Sequence, residues 1–201
     1  MNSDDLLLSV AVVAVVVSLL GMGMTYYSID SFKKTWLTGF ATSTATVNLT
    51  VESNLAINFT TDNIDFGSGQ VDPGALNATL ETPFGNLRGN WTNVTDGFIL
   101  ENIGNIDCNI SIKTGKTAGN FIGGTSPVYQ WNVTNDEANS CTKKSTFTLG
   151  AWNNYNTSGV EVCDVFFANN TKDTIRIDLH LSVPADSKVG ALGDVITATA
   201  T

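Results

Sequence analysis

Nine asparagines in this chain have the spacing that N-linked glycosylation requires, with Ser or Thr two residues later. They are Asn48, Asn58, Asn77, Asn90, Asn93, Asn109, Asn132, Asn156 and Asn169. Random placement of the 21 Asn and the 41 Ser and Thr residues would give about four such triplets. Composition alone is the alternative explanation for part of this excess. We predict that most of the nine asparagines carry glycans.

Some of these asparagines alternate with apolar residues, which predicts the face on which they lie. Asn48 lies between Val47 and Leu49 in residues 46–52. Asn58, Asn109 and Asn132 also have apolar neighbours on both sides. Because successive side chains of a strand point to opposite faces, these four asparagines are predicted on the solvent face.

The three cysteines point to one disulfide and one free thiol. Cys108 has the same strand parity as Ile110 and Ile112, so it is predicted to be buried and free. Cys141 lies in a polar loop and Cys163 begins a strand, so we favour a bridge between these two. The spacing alone leaves a bridge to Cys108 open. A loop of about 20 residues closed in this way stabilises a fold by on the order of 3 kcal/mol and fits an oxidising exterior.

Residues that could catalyse a reaction or bind a metal are few. His180 is the sole histidine, and the alternation of its segment predicts an ordinary surface position. Asp62, Asp65 and Asp72 surround a Gly-rich loop but have neither the ligand spacing of a calcium loop nor a closing Glu. We therefore expect no enzyme, no catalytic or cofactor-binding residue, no metal site and no cofactor apart from covalent N-glycans.

The first element that must position these groups is an uncharged apolar run, residues 6–24. As a helix this run would be about 28 Å long, close to the thickness of one hydrocarbon core. We predict a single helix over residues 3–38. Its last third is predicted to be amphipathic and to pack on the following domain through one face. That face contains Ile29, Phe32, Trp36 and Phe40.

The residues of this helix that we expect to matter for self-assembly are Asp5, Leu6, Val12, Val16, Leu20, Gly21 and Gly23. The two glycines permit close helix packing or a local bend. An equally good explanation of the two glycines is that glycine is common in membrane helices.

The charges that flank the helix conflict with a simple membrane topology. Asp4 and Asp5 lie on the N-terminal side of the apolar run, and the first positively charged side chains are Lys33 and Lys34. The positive-inside rule would then place the large C-terminal part in the cytoplasm. Removal of a short basic leader just before Met1 would resolve the conflict, whereas Met1 as the initiator would leave it in place.

The remainder of the chain reads as one β-domain. The net charge is −9 with ten Lys and Arg residues in all, which provides no basic patch for nucleic acid. Alternating runs predict strands at 46–52, 55–59, 75–80, 98–103, 106–113, 128–134, 145–149, 162–168, 174–183 and 194–199. We predict a mainly β protein with one long N-terminal helix (residues 1–40) and an antiparallel β-sandwich, immunoglobulin-like or jelly-roll-like, over residues 41–201.

This architecture resembles the archaeal type IV pilin and archaellin family. The resemblance lies in an uncharged N-terminal helix that runs without a linker into a sequon-rich β-sandwich. Asp4 and Asp5 are similar to the acidic residue near the start of the mature helix in bacterial type IV pilins, which can pair with a neighbouring N-terminal amine. The resemblance implies that a peptidase removes a basic leader, that the helices leave the membrane and bundle as a filament core, and that the β-domains lie outside.

The expected function is therefore that of a structural subunit of an extracellular filament. The expected partners are other copies of this chain, together with the membrane before assembly. The first alternative is a monomeric cell-surface glycoprotein, an adhesin or binding module, whose helix stays in lipid. A secreted or anchored hydrolase is the weaker alternative, because no acid, base or nucleophile constellation supports it.

Overall fold

A computed structural model of the protein describes residues 3–36 and 45–201. The chain forms two compact units, Met1–Thr50 and Val51–Thr201. The first contains one long helix and the second is built from antiparallel β-sheets. The domain boundary predicted at residue 40 lies outside the described residues.

Helix α1 covers Ser3–Trp36 and has 34 residues. At 1.5 Å per residue it is about 51 Å long. The helix contains no Pro, and its Leu, Ala and Met residues favour a helical conformation. The last two residues of the predicted helix, 37 and 38, lie outside the described residues. The predicted face of Ile29, Phe32, Trp36 and Phe40 lies outside the described side chains, as do the side chains of Asp5 and Leu6.

The second unit contains eleven strands and one short helix within residues 51–201. The strands are β1 (Ile57–Thr61), β2 (Asn77–Glu81), β3 (Gly85–Leu87), β4 (Phe98–Asn102), β5 (Cys108–Thr114), β6 (Val128–Asn135), β7 (Cys141–Lys143), β8 (Asn153–Asn154), β9 (Val160–Phe166), β10 (Thr174–Pro184) and β11 (Ile196–Ala200). Helix α2 (Ala118–Phe121) follows β5, and its first turn is capped by the Thr117 hydroxyl, which accepts from the Asn120 N–H.

Strand β10 organises the larger, seven-stranded sheet. It pairs with β6 along one edge and with β4 and then β2 along the other. Beyond them, β1 pairs with β4, β3 with β2, and β8 with β6. The smaller sheet has the order β11-β5-β9-β7, and every pairing in both sheets is antiparallel.

A polar network fills the junction where β10 passes from β4 to β2. The Leu179 N–H donates to the Thr82 hydroxyl oxygen at 2.8 Å, and the Thr82 hydroxyl donates to the Asp178 carboxylate at 3.0 Å. The Arg176 guanidinium closes the network with a 2.9 Å hydrogen bond to the same carboxylate. The hydroxyl thus satisfies a backbone donor inside the sheet.

One hydrophobic core lies between the two sheets. Leu100, Trp131 and Ile177 contribute to it from the larger sheet, and Ile110 and Phe166 from the smaller one. Each of these five side chains is at most 1% exposed. This arrangement is the mainly β, two-sheet architecture that the alternating pattern predicted.

Two of the predicted strands are absent. Residues 46–52 form no strand, and Val47, Leu49 and Val51 are exposed rather than packed. Residues 145–149 contain a turn, in which the Phe147 N–H donates to the Lys144 carbonyl. Phe147 alone of that run is buried, stacked on Trp131 with ring centroids 5.4 Å apart.

The shortest elements, β3, β7, β8 and α2, were not predicted from the sequence. They have two to four residues each, too few to show a periodicity. Asp178 and Ser182 have the same strand parity as His180, which predicts a solvent-facing position on β10, but both are buried. Asp178 belongs to the junction network, and the Ser182 hydroxyl accepts a hydrogen bond from Asn77.

Candidate assembly helix and glycan acceptors

The described apolar side chains of α1, between Leu7 and Ser28, are exposed. Residues Leu7–Ser28 form a stretch long and apolar enough to cross a membrane, and none of it is buried. Among the described side chains, Val12 is 55% exposed, Val16 49% and Leu20 61%. Exposure of apolar side chains to water is unfavourable by about 25 cal/mol per Å² of apolar area. The described part of the helix therefore requires an apolar environment.

Two hydroxyl groups of this stretch bond to the helix itself. The Ser18 hydroxyl donates to the Ala14 carbonyl at 2.9 Å, and the Thr25 hydroxyl donates to the Gly21 carbonyl at 2.5 Å. Such bonds to the carbonyl four residues earlier satisfy the donor without any partner outside the helix. Ser18 and Thr25 are thus compatible with either lipid or another apolar helix.

Small residues of α1 recur at alternating spacings of three and four, namely Ala11, Ala14, Ser18, Gly21, Thr25 and Ser28. This heptad spacing places them along one face of the helix. A Cβ built on Gly21 or Gly23 meets no described atom within 4 Å. Gly21 belongs to the small-residue face and Gly23 does not, so only Gly21 would favour close approach of a helix at this face.

Six of the nine candidate glycan acceptors are exposed: Asn48, Asn58, Asn90, Asn93, Asn109 and Asn169. Asn58 and Asn109 lie on strands and alternate with more buried neighbours, as the pattern predicted. Asn48 is exposed for another reason, because its segment forms no strand. In the Asn169 triplet, the Thr171 hydroxyl donates to the Asn169 side-chain oxygen at 2.9 Å.

The remaining three candidate acceptors are half-buried. The Asn77 amide nitrogen donates to the Ser182 hydroxyl at 2.9 Å. The Asn132 side-chain oxygen is buried and has no hydrogen-bond partner within the described part of the chain. The Asn156 side-chain oxygen accepts from the Ser158 N–H at 2.7 Å. Because a glycan is attached to the amide nitrogen, Asn77, whose nitrogen is bonded to Ser182, is the poorer acceptor as folded.

The cysteines occupy the places that the sequence analysis favoured. Cys141 of β7 and Cys163 of β9 are joined in a disulfide, with their Cα atoms 5.5 Å apart. Cys108 is free and buried. Burial, together with the Asp107 carboxylate, raises the pKa of the Cys108 thiol, which keeps it protonated and unreactive at neutral pH.

His180 does not have an ordinary surface position. Its Nδ1 lies 2.5 Å from a carboxylate oxygen of Glu81, and both side chains are about one-fifth exposed. The Trp152 ring lies with its centroid 5.4 Å from that of His180. On the opposite strand the Gln130 amide donates to Asn154 at 2.9 Å. These contacts hold the imidazole on the outer face of the larger sheet, without a neighbouring nucleophile among them.

Several carboxylates line a cavity of about 500 Å³ at the end of β4. Its lining includes Glu101, Glu137 and Asp173. Asp173 is buried, and burial, followed by the proximity of Glu137 and Glu101, raises the pKa of its carboxyl. Within residues 3–36 and 45–201, no group of three or more His, Cys, Asp or Glu residues has a geometry that could hold a metal ion. Asp65, from the Gly-rich loop, accepts a hydrogen bond from the Gly67 N–H.

Comparison with known proteins gives no family for this chain. No family model, no curated protein and no solved structure matches it. Its function must therefore be argued from its own residues.

Proposed function

We propose that this protein is the structural subunit of an extracellular filament of the type IV pilus kind. The α1 helices bundle as the core of the filament. The second unit of each chain, Val51–Thr201, here called the β-unit, lies outside and carries N-linked glycans. The helix enters the membrane before assembly, and the principal partner of the chain is another copy of itself.

One observation carries the proposal: the described side chains of Leu7–Ser28 are exposed around the whole helix. A helix that packed on its own domain would have one covered stripe and one polar stripe. A helix that is apolar all round instead suits complete enclosure, as in lipid or in a bundle of like helices. The small-residue face supports the bundle, because it lets helix backbones approach closely.

The helix can be tested with matched valine substitutions. Val12→Asp and Val16→Asp place a charge on the all-apolar surface and should abolish filaments, which are counted in electron micrographs of sheared surface material. Val189→Asp is the control, since Val189 is fully exposed in the β-unit. It should leave filaments unchanged. Normal filaments from both helix variants would refute the proposal.

The glycans are tested by the intact mass of the native subunit. The bare chain has a mass of 21.3 kDa. We expect a larger mass, with glycopeptides at most of the six exposed asparagines and lower occupancy at Asn77. A native mass equal to that of the bare chain would show that the triplets arise from composition.

The alternative is a monomeric surface glycoprotein anchored by α1. The same stretch, Leu7–Ser28, supports this alternative, because it is long enough to cross a membrane. Shearing separates the two functions. A filament subunit leaves the cell with the sheared polymer, whereas an anchored monomer stays with the membrane and is released only by detergent.

A further inference from the structure

The segment 46–52 has the sequence of a strand but no partner strand. Its apolar residues Val47, Leu49 and Val51 alternate with polar ones, and their side chains are 91%, 85% and 73% exposed. Alternation of this kind normally marks a half-buried strand. In the isolated chain the segment thus exposes an apolar face that is suited to a sheet edge.

The end of this segment is fixed to its own β-unit. The Asn105 amide nitrogen donates to the Glu52 carbonyl at 2.8 Å, and the Asn54 N–H donates to the Asn105 side-chain oxygen at 2.6 Å. The Asn105 N–H also donates to the Asn54 carbonyl at 2.9 Å. A Cβ at Gly104 would approach that carbonyl to 2.4 Å, so this turn requires glycine. Residues 52–54 are anchored there, while the strand-like residues before them remain uncovered.

Strand β11 provides the sheet edge that fits. In the described part of the chain, β1, β3, β7, β8 and β11 lie at sheet edges. Strand β1 has an irregular register, and β3, β7 and β8 have only two or three residues. Short length and irregularity protect an edge from further pairing. Strand β11, with the sequence ITATA, has five residues in regular register and no charge, Pro or Gly.

The backbone groups of β11 show which residues point to the open side. The Gly115 N–H donates to the Val195 carbonyl, and Asn109 and Thr201 exchange both of their backbone hydrogen bonds. Odd-numbered residues of β11 therefore face β5 in this antiparallel ladder. The N–H and C=O groups of Ile196, Ala198 and Ala200 point away from β5, and no described residue bonds to them. These groups form a template for one more strand.

The side chains of the segment also complement β11. Ile196, Ala198 and Ala200 are half-buried against the core, whereas Thr197 and Thr199 are exposed. Two alanines at the margin of the core leave room for larger neighbours. A strand that places Val47, Leu49 and Val51 beside them would cover this margin, and Asn48 would stay on the outer face with its glycan free.

We propose that residues 46–52 of one copy pair with the open edge of β11 of a second copy. The inference rests on the proposed function, because the filament brings the copies into proximity. Backbone hydrogen bonds would provide affinity, and the alternating apolar residues would set the register. The helices then form the core contact of the polymer and the added strands link the β-units around it.

The test is disulfide crosslinking of the full chain in native filaments. Thr199→Cys, on the outer face of β11, is combined in turn with Thr46→Cys, Asn48→Cys and Thr50→Cys, which sample the possible registers. Facing residues of adjacent strands are close enough for a disulfide. We expect at least one combination to give a ladder of dimers and larger species under mild oxidation. A reductant should collapse the ladder to monomer.

The matched control replaces Thr199→Cys with Thr60→Cys, since Thr60 is an exposed threonine on the irregular edge strand β1. This control should give no ladder. Filaments without any crosslink from the three Thr199→Cys combinations would overturn the strand pairing and leave the filament standing. A crosslink within one chain would overturn it as well. Crosslinked oligomers from a preparation without filaments would support the pairing and refute the filament.

Discussion

The helix and the β-unit of this protein bury apolar residues in opposite ways. The β-unit encloses its own core, in which Leu100 and Phe166 are fully buried. The helix encloses none of its described apolar residues, and Leu20 is 61% exposed. The β-unit is therefore stabilised by contacts within one chain, whereas the helix depends on contacts from outside it.

Apolar content alone therefore does not identify a core. Both regions are rich in Val and Leu, but the β-unit alternates them with polar residues and the helix does not. Alternation directs half of the side chains to a sheet face that another sheet can cover. A helix that is apolar all round has no solvent face and must be covered on all sides.

A matched pair of leucine truncations tests this difference between the two regions, and we expect it to have the greatest effect. Leu100→Ala should destabilise the β-unit by about 2–5 kcal/mol, because it leaves a cavity in the closed core. Leu20→Ala should leave the unfolding of the β-unit unchanged and lower the yield of filaments. Thermal unfolding followed by near-ultraviolet circular dichroism measures the first quantity. Equal losses of β-unit stability from both variants would refute the comparison.

The next effect concerns the covalent link inside the β-unit. Replacing both bridged cysteines, Cys141→Ser with Cys163→Ser, should destabilise the β-unit by about 3 kcal/mol, because the unfolded chain regains the freedom of that loop. Denaturant unfolding measures the loss, and the same substitutions should not alter the helix.

Mapping of peptides under non-reducing conditions should recover Cys141 linked to Cys163 and Cys108 labelled only after unfolding. A peptide that joins Cys108 to either partner would contradict this assignment.

Much of the fold was predictable from the sequence because most strands carry their own alternation. The run of β10 from Ile175 to Val183 shows this, and so does the parity that assigned Cys108 to the core. The bridge between Cys141 and Cys163 was favoured from loop and strand context. These features are local, so they can be read before the partner strands are known.

Other features depend on partners that are distant in sequence. Residues 46–52 alternate apolar and polar residues as clearly as β1 does, but no described strand pairs with them. Asp178 and Ser182 alternate as solvent-facing residues, but Thr82 and Asn77, about a hundred positions earlier, cover or bond them. The half-burial of Asn132 likewise follows from neighbouring strands. A single run of sequence specifies faces, and tertiary pairing specifies what covers them.

A smaller effect is expected at the junction in the larger sheet. Thr82→Val keeps the shape of the side chain but removes its hydroxyl, which leaves the Leu179 N–H and one oxygen of Asp178 short of a partner. Loss of such buried partners costs about 1–3 kcal/mol. Thr148→Val is the control, because Thr148 is exposed and belongs to no acceptor triplet. Denaturant midpoints that shift equally for both variants would refute the role of Thr82.

The smallest effect is a dependence of β-unit stability on pH through Asp173. Burial, together with Glu137 and Glu101, raises the pKa of this carboxyl above its usual value of 3.8. A pKa raised in the folded state means that the ionised form disfavours folding. The stability should therefore rise as pH falls through the folded pKa, and the rise should be complete below the pKa of the unfolded chain.

Asp173→Asn should stabilise the β-unit at pH 7, because a neutral amide replaces the buried charge and can donate to the Glu137 carboxylate. The gain should vanish near pH 3, where Asp173 is already protonated. Asp186→Asn provides a control of opposite sign, since hydrogen bonds from Thr125 lower the pKa of Asp186. That variant should lose stability at neutral pH and match the native chain in acid. Melting temperatures across this pH range decide the matter, and a destabilised Asp173→Asn variant at pH 7 would show that the carboxylate has an essential donor partner.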